Sequence, residues 1–262
     1  MSDSEIVGLD EDLEQESEGA EDRSRMSFLD HLDELRKRLL YSVYAISACC
    51  IVTLVFWERT FLYLANYFKQ FGGELIYNEP MGAFMFSMKT SVLAGLLIAS
   101  PFVFSQLWLF VAPGLYAKEK RVVVPFVFFA TLLFALGAAF AHLKAFPAMW
   151  GFFASYNDLG GIRFMANIDE AFTFYMWTIL GLGLTFQMPI AVYFLARFGI
   201  VTAKFLLKQF RYAVLIIFII AAVVTPSADP VTQAVFAAPM IVLYILSIGV
   251  AWIFGKKRPK ES

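Results

Sequence analysis

Six long apolar stretches, set apart by polar or aromatic segments, leave this chain almost no choice of architecture. A helix crosses the roughly 30 Å hydrocarbon core of a bilayer with about 20 residues, and only helices or closed barrels satisfy their backbone there. The predicted spans are roughly Leu39–Trp57, Phe84–Phe110, Val122–Phe146, Ala171–Leu195, Tyr212–Val224 and Gln233–Phe254. The fifth is short, because its 13 residues cover only about 20 Å as a helix. Either it thins the bilayer or lies against protein, or it continues back through Phe205–Arg211 as a longer helix with a polar end. Spacing leaves both readings open. Composition agrees with the pattern. The chain is 60% hydrophobic and 16% charged, against about half and a quarter in soluble domains. The predicted fold class is an all-α membrane protein of six transmembrane helices.

Charge gives the orientation. Residues 1–22 hold ten acidic and no basic side chains, which leaves 12 acidic against 21 basic in the remainder. The acidic stretch has few aromatics and no apolar period, so residues 1–26 read as a disordered tail. It lacks the basic start and apolar middle of a signal peptide. Residues 27–254 form the membrane domain, and 255–262 a basic tail. Sixteen Lys/Arg fall on the side that holds the N-terminal flank, the second–third and fourth–fifth loops and the C-terminus; five fall on the other. The basic side is expected to be cytoplasmic, with both termini there.

Catalytic and metal motifs are missing. His31 and His142 are the only histidines, and Cys49 and Cys50 are adjacent in an apolar run that reads as buried small hydrophobes. No metal-ligand spacing, phosphate-binding glycine loop or nucleophile elbow is present. No cofactor, metal, enzymatic activity or nucleic-acid partner is expected.

Two basic clusters at the cytoplasmic edge each hold a carboxylate. In Ser27–Leu40, Phe28, Leu32, Leu35 and Leu39 recur on one helical face, and Asp30, Asp33, Glu34, Arg36, Lys37 and Arg38 occupy the other. This is an amphipathic lead-in at the interface before the first span, started by a Ser27–Asp30 capping pattern. Glu34 precedes Arg38 by four residues, the spacing of an ordinary stabilising helix pair. The alternative is a binding role. In Phe110–Arg121, Pro113-Gly114 breaks the second helix, and the loop presents Tyr116 and Glu119 among Lys118, Lys120 and Arg121. Glu119 is either a neutralised residue of a solvated turn or a second binding carboxylate. Together the two residues suit a ligand with consecutive arginines, since each guanidinium is best held by a carboxylate in a forked geometry. The surrounding basic residues also attract anionic lipid headgroups.

Three motifs carry a family resemblance. They are HLDELRKRL (His31–Leu39), the run from Gln106 to Tyr116 followed by Glu119-Lys120-Arg121, and VVTPSADPVTQ (Val223–Gln233). The chain from about Ser27 to Phe254 resembles the TatC subunit of the twin-arginine protein translocase. The resemblance implies a concave, glove-like six-helix bundle in the inner membrane that recognises twin-arginine signal peptides at its cytoplasmic face. It implies assembly with single-span TatA- and TatB-type subunits and further copies of itself, and export of folded proteins on the proton-motive force. It assigns signal-peptide binding to Glu34, Glu119, Arg36 and Phe110. Pro113, Tyr116, Gln187, Pro226 and Asp229 are expected partner or structural positions. Gln187, in Phe186-Gln187-Met188-Pro189, stands where many members carry a Glu, so a proton-carrying carboxyl there loses support. It either packs beside a proline kink or hydrogen-bonds a partner helix. Asp229 matches a family aspartate only loosely, across two extra residues, and nothing transfers to Asn66–Tyr67.

The competing reading is a secondary transporter for a small solute or proton. Carriers usually hold ionisable groups near the midplane, and here no Asp or Glu lies deep in any predicted span. Gly137, Ala138, Gly181, Gly183 and Pro239 are expected to make grooves or kinks for helix contact, with a single-span partner docking near the fifth and sixth spans. The long loops from Glu58 to about Ala83 and from Pro147 to about Glu170 are expected to cap the outer end.

Overall fold

The computed structural model describes residues 31–71, 74–76, 80–111, 123–156, 165–225 and 229–255. Five helices are long and apolar enough to cross a membrane: His31–Val55, Gly82–Phe110, Val124–Ala154, Ile168–Arg197 and Pro230–Phe254. The shorter apolar helix Phe210–Val224 is the sixth. In chain order, α1 (His31–Val55) leads to α2 (Trp57–Lys69), β1 (Glu74–Ile76) and α3 (Gly82–Val111). Next come α4 (Val123–Phe140), a π-helical turn (Ala141–Ala145), α5 (Phe146–Ala154) and β2 (Met165–Asn167). The chain ends with α6 (Ile168–Thr185), α7 (Met188–Arg197), α8 (Ala203–Lys208), α9 (Phe210–Val224) and α10 (Pro230–Phe254).

The spans run up and down. α1 lies antiparallel to α3, where Arg38 meets Gln106 and Thr53 meets Ser91. α3 lies antiparallel to α4, where Phe104 meets Phe134 and Trp108 meets Phe126. α9 and α10 pair in the same way, with Phe210 against Tyr244 and Gln233 bonded to the Phe218 carbonyl. α7 joins the two groups, with Phe194 against Trp108 near the end of α3 and Tyr193 against Phe254 at the end of α10, so the N-terminus of α1 and the C-terminus of α10 lie at one end of the bundle. Lipid supplies no hydrophobic drive between helices, so close backbone approach matters more than apolar area. The approach is closest where Gly137 of α4 meets Gly183 of α6: a Cβ on Gly137 would lie 2.9 Å from the Gly183 Cα and from the Leu182 carbonyl oxygen. A Cβ on Gly181 would lie 2.8 Å from Phe236 of α10. These glycines are used inside the chain, which corrects their reading as support for docking a separate partner.

Three further expectations change. The lead-in does not lie apart from the first span. Residues 31–55 form one helix, because nothing between Leu32 and Val55 breaks it and Ser42 is absorbed by bonding back to the Arg38 carbonyl. The Ser27–Asp30 cap lies outside the described residues, as do Glu119, Pro113, Tyr116, Pro226 and residues 1–26 and 256–262 of the two tails. The third span does not stop before Pro147. Proline fits at the start of α5 because the preceding π-helical turn shifts the hydrogen-bond register, so the missing N–H interrupts little. The fifth helix is neither 13 residues nor a continuous extension through Phe205. It has 15 residues, about 22 Å, and a turn at Gln209 (φ −90°, ψ 7°) separates it from α8.

The described parts of the two long loops pack into one cap at the far end of the bundle. β1 and β2 pair in parallel, Glu74 opposite Met165 and Ile76 opposite Asn167. α2 buries Leu64, Ala65, Tyr67 and Phe68. Phe68 packs against Phe86, Phe146, Trp150 and Tyr175, so four elements share one aromatic core.

At the same end Asp229 caps α10. Its Oδ1 accepts from the N–H groups of Val231 (3.0 Å) and Thr232 (2.8 Å), and its Oδ2 takes the Thr232 hydroxyl. Pro230 occupies the position where no N–H is needed. Asp229→Ala is expected to cost about 1–2 kcal/mol. Asp229→Asn keeps the acceptor and should cost less. Thermal unfolding of the two variants in detergent checks the order, and equal losses would reject the cap as the reason.

Candidate functional site at the basic end of the bundle

The N-terminal turns of α1 and the last turns of α3 meet along one seam. Glu34 and Arg38 are one helical turn apart, and Arg38 Nη2 donates to Glu34 Oε1 at 3.1 Å. The pairing that the i,i+4 spacing predicted is therefore present. The same guanidinium does more. Its Nη1 donates to Gln106 Oε1 on α3 at 3.3 Å, so Arg38 bridges the carboxylate to the neighbouring span. Gln106 is buried at 7% exposure, whereas the Glu34 and Arg38 side chains are 32% and 28% exposed. One turn further along, the His31 ring stacks on Phe110 with centroids 4.4 Å apart and planes within 16°.

Of the residues expected to act together, Glu34 and Phe110 are brought to this seam. Arg36 is exposed; two residues from Glu34, it points to a different face of α1. Glu119 lies outside the described residues. The spans that flank it, α3 and α4, both have their adjoining ends at this end of the bundle, where Trp108 packs against Phe126 and both pack against Phe194 of α7. Sequence reasoning missed two participants. Gln106 sits in a quoted motif, but its contact with Arg38 spans 68 positions in the chain. His31 enters the sequence reading without a role at this edge, although its place three residues before Glu34 and seven before Arg38 puts it on the α1 face that approaches α3.

Chemically, the seam is a carboxylate with one oxygen taken by an internal guanidinium, beside a flat aromatic pair. Oε2 of Glu34 has no hydrogen-bond partner among the described residues. Such a group can accept a cationic donor. Among the described residues no group of three or more His, Cys, Asp or Glu is placed to hold a metal.

Two other polar features lie elsewhere. At the opposite end, His142 in the π-helical turn shares hydrogen bonds of 3.0 Å with Tyr63 and with Tyr175, and Tyr67 donates to its backbone carbonyl. Burial pushes the Tyr67 phenol well above its ordinary pKa. Separately, Lys89 Nζ of α3 lies 2.7 Å from both carboxylate oxygens of Asp169 in the first turn of α6. Within the bundle, Gln187 Nε2 donates to the Ala130 carbonyl of α4 at 3.0 Å, at the break between α6 and α7. Gln187 thus lies two residues before Pro189, and its amide bonds a helix of its own chain.

Comparison with known proteins agrees with the arrangement of spans. The profile of the TatC family, Sec-independent protein translocase protein, matches residues 30–239. A TatC protein of Koribacter versatilis is 41% identical over 245 residues, covering 90% of this chain and 89% of the relative. One from Helicobacter pylori is 42% identical over 223 residues, covering 84% and 87%. A crystal structure of the twin-arginine translocase receptor TatC superposes with a TM-score of 0.74 at 32% identity, covering 84% of this chain and 97% of that one.

Proposed function

This chain belongs to the TatC family of Sec-independent protein translocase proteins, and on that premise we propose that it is the signal-recognising subunit of a twin-arginine translocase. It is a multi-pass membrane protein whose family translocates proteins rather than catalysing a reaction. Glu34 and Glu119 each hold one guanidinium of consecutive signal-peptide arginines. Phe110 and Arg36 complete that surface, with Phe110 giving an apolar wall. The site faces the cytoplasm of a cell with an inner membrane, and both termini lie on that side. Single-span TatA- and TatB-type subunits, anionic lipid and further copies of the chain complete the machine, which draws on the proton-motive force.

One observation carries this reading: Glu34, tied through Arg38 to Gln106, and Phe110, stacked on His31, share the seam between α1 and α3, at the end of the bundle where α3 ends and α4 begins. The transporter alternative gains nothing comparable. Every Asp and Glu of the described spans lies at a helix end, as Glu34 and Asp169 do, and none near mid-depth.

The test is photocrosslinking from probes at positions 34 and 119 of the full chain in membranes. The expected result is adducts at both positions with a signal peptide carrying Arg-Arg, and several-fold fewer with a Lys-Lys control, since an ammonium cannot make the fork. Equal yields from both peptides, or none from either position, would reject the recognition role.

A further inference from the structure

The Glu34 carboxylate already holds a guanidinium, and it is the chain's own. We propose that Arg38 is a resident competitor of the signal arginine: it occupies Glu34 when no peptide is bound, and it is retained by Gln106 when an incoming arginine takes its place. The proposal deepens the receptor reading and rests on Glu34 being a ligand carboxylate.

The geometry supports exchange rather than a permanent pair. Arg38 reaches Glu34 through a single N–H, to Oε1 alone. A guanidinium free to approach from outside can use both carboxylate oxygens, and the forked pair is the stronger one. Arg38 does not become an unpaired charge when it leaves, because Nη1 already sits on Gln106 Oε1. Gln106 is buried and cannot follow Arg38 outward, so it serves as the fixed parking place. Glu34 and Arg38 are each about one-third exposed, which keeps the exchange cheap and open to a peptide arriving from solvent.

The consequence is a threshold. A competitor within the same molecule weakens every cationic ligand of Glu34 by one common factor. It leaves the preference for arginine over lysine untouched, since that preference comes from the fork. It also keeps stray single cations from occupying the site between cargoes.

The experiment measures anisotropy of a fluorescent signal peptide with consecutive arginines, and of its Lys-Lys counterpart, on the full chain in nanodiscs. Arg38→Gln should tighten both peptides by the same factor, about two- to fivefold. Glu34→Gln should weaken the Arg-Arg peptide, and the double variant should match Glu34→Gln, with no gain left. Lys37→Gln removes an equal charge from an exposed neighbour and should give a smaller change. Gln106→Leu should move the other way and weaken binding, because Arg38 then has nowhere to go; this arm keeps the test alive should Arg38→Gln fold poorly. Weaker binding in Arg38→Gln, a gain that survives in the double variant, or an equal gain from Lys37→Gln overturns the proposal. If Glu34→Gln leaves Arg-Arg binding intact, the receptor reading beneath it fails first, and the two failures are told apart.

Discussion

Gly137→Val is expected to destroy the α4–α6 crossing and with it the folded bundle. The new Cβ would stand 2.9 Å from the Gly183 Cα, 2.9 Å from the Leu182 carbonyl oxygen and 2.9 Å from the Phe186 ring. The first two obstacles are backbone, so no rotamer change relieves them. The helices must separate, and Gln187, which reaches the Ala130 carbonyl from the same pair of helices, loses its acceptor. Overpacking of a core costs about 1–3 kcal/mol where side chains can give way; here only backbone can, so the loss should lie at the top of that range or beyond. Against a typical total of about 5–15 kcal/mol, most of the protein should fail to accumulate or should melt early in detergent. Gly151→Ala is the control. Nothing lies within 4 Å of its Cβ position in α5, and removing a helical glycine should stabilise by up to about 1 kcal/mol. A normal melting temperature for Gly137→Val would mean that the crossing is looser than described.

Phe68→Ala is expected to cost about 3–5 kcal/mol. Phe68 is fully buried, at 0% exposure. Its ring stacks on Trp150 at 5.8 Å and meets the Phe146, Tyr175 and Phe86 rings at 5.2, 5.5 and 6.3 Å. These partners come from α3, α5 and α6, so one deletion opens a cavity that none of them can close alone. The cap should loosen as a unit. Hydrogen exchange should rise across α2 and the β1–β2 pair, while α9 and α10 stay protected. Phe128→Ala, at a ring 62% exposed on α4, should change stability little. Equal melting shifts in the two variants would contradict the assignment of Phe68 to the core.

Much of this was legible in advance. The six spans were legible because hydropathy sums along the chain, and bilayer thickness sets one length scale for all of them. The pairing of Glu34 with Arg38 was legible because four residues make one helical turn. Asp229 was placed only loosely, and the structure resolves it as a helix cap. The end of the third span was misplaced because proline usually stops a helix, and no local signal announces a π-helical turn able to absorb it. The joint cap was anticipated as two loops, not as one unit, since a strand pair between residues 74–76 and 165–167 leaves no trace in either segment alone.

Composition and period, both local quantities, determined that this chain is a six-span membrane protein with a basic edge bearing two carboxylates. Tertiary structure alone decided what those local features touch. It gave Arg38 a second hold on Gln106, 68 residues away, and spent Gly137 and Gly183 on each other. The physical reason is that lipid is as apolar as leucine. Hydropathy can say that a helix lies in the membrane, but only close packing and paired polar groups choose which helix it lies against.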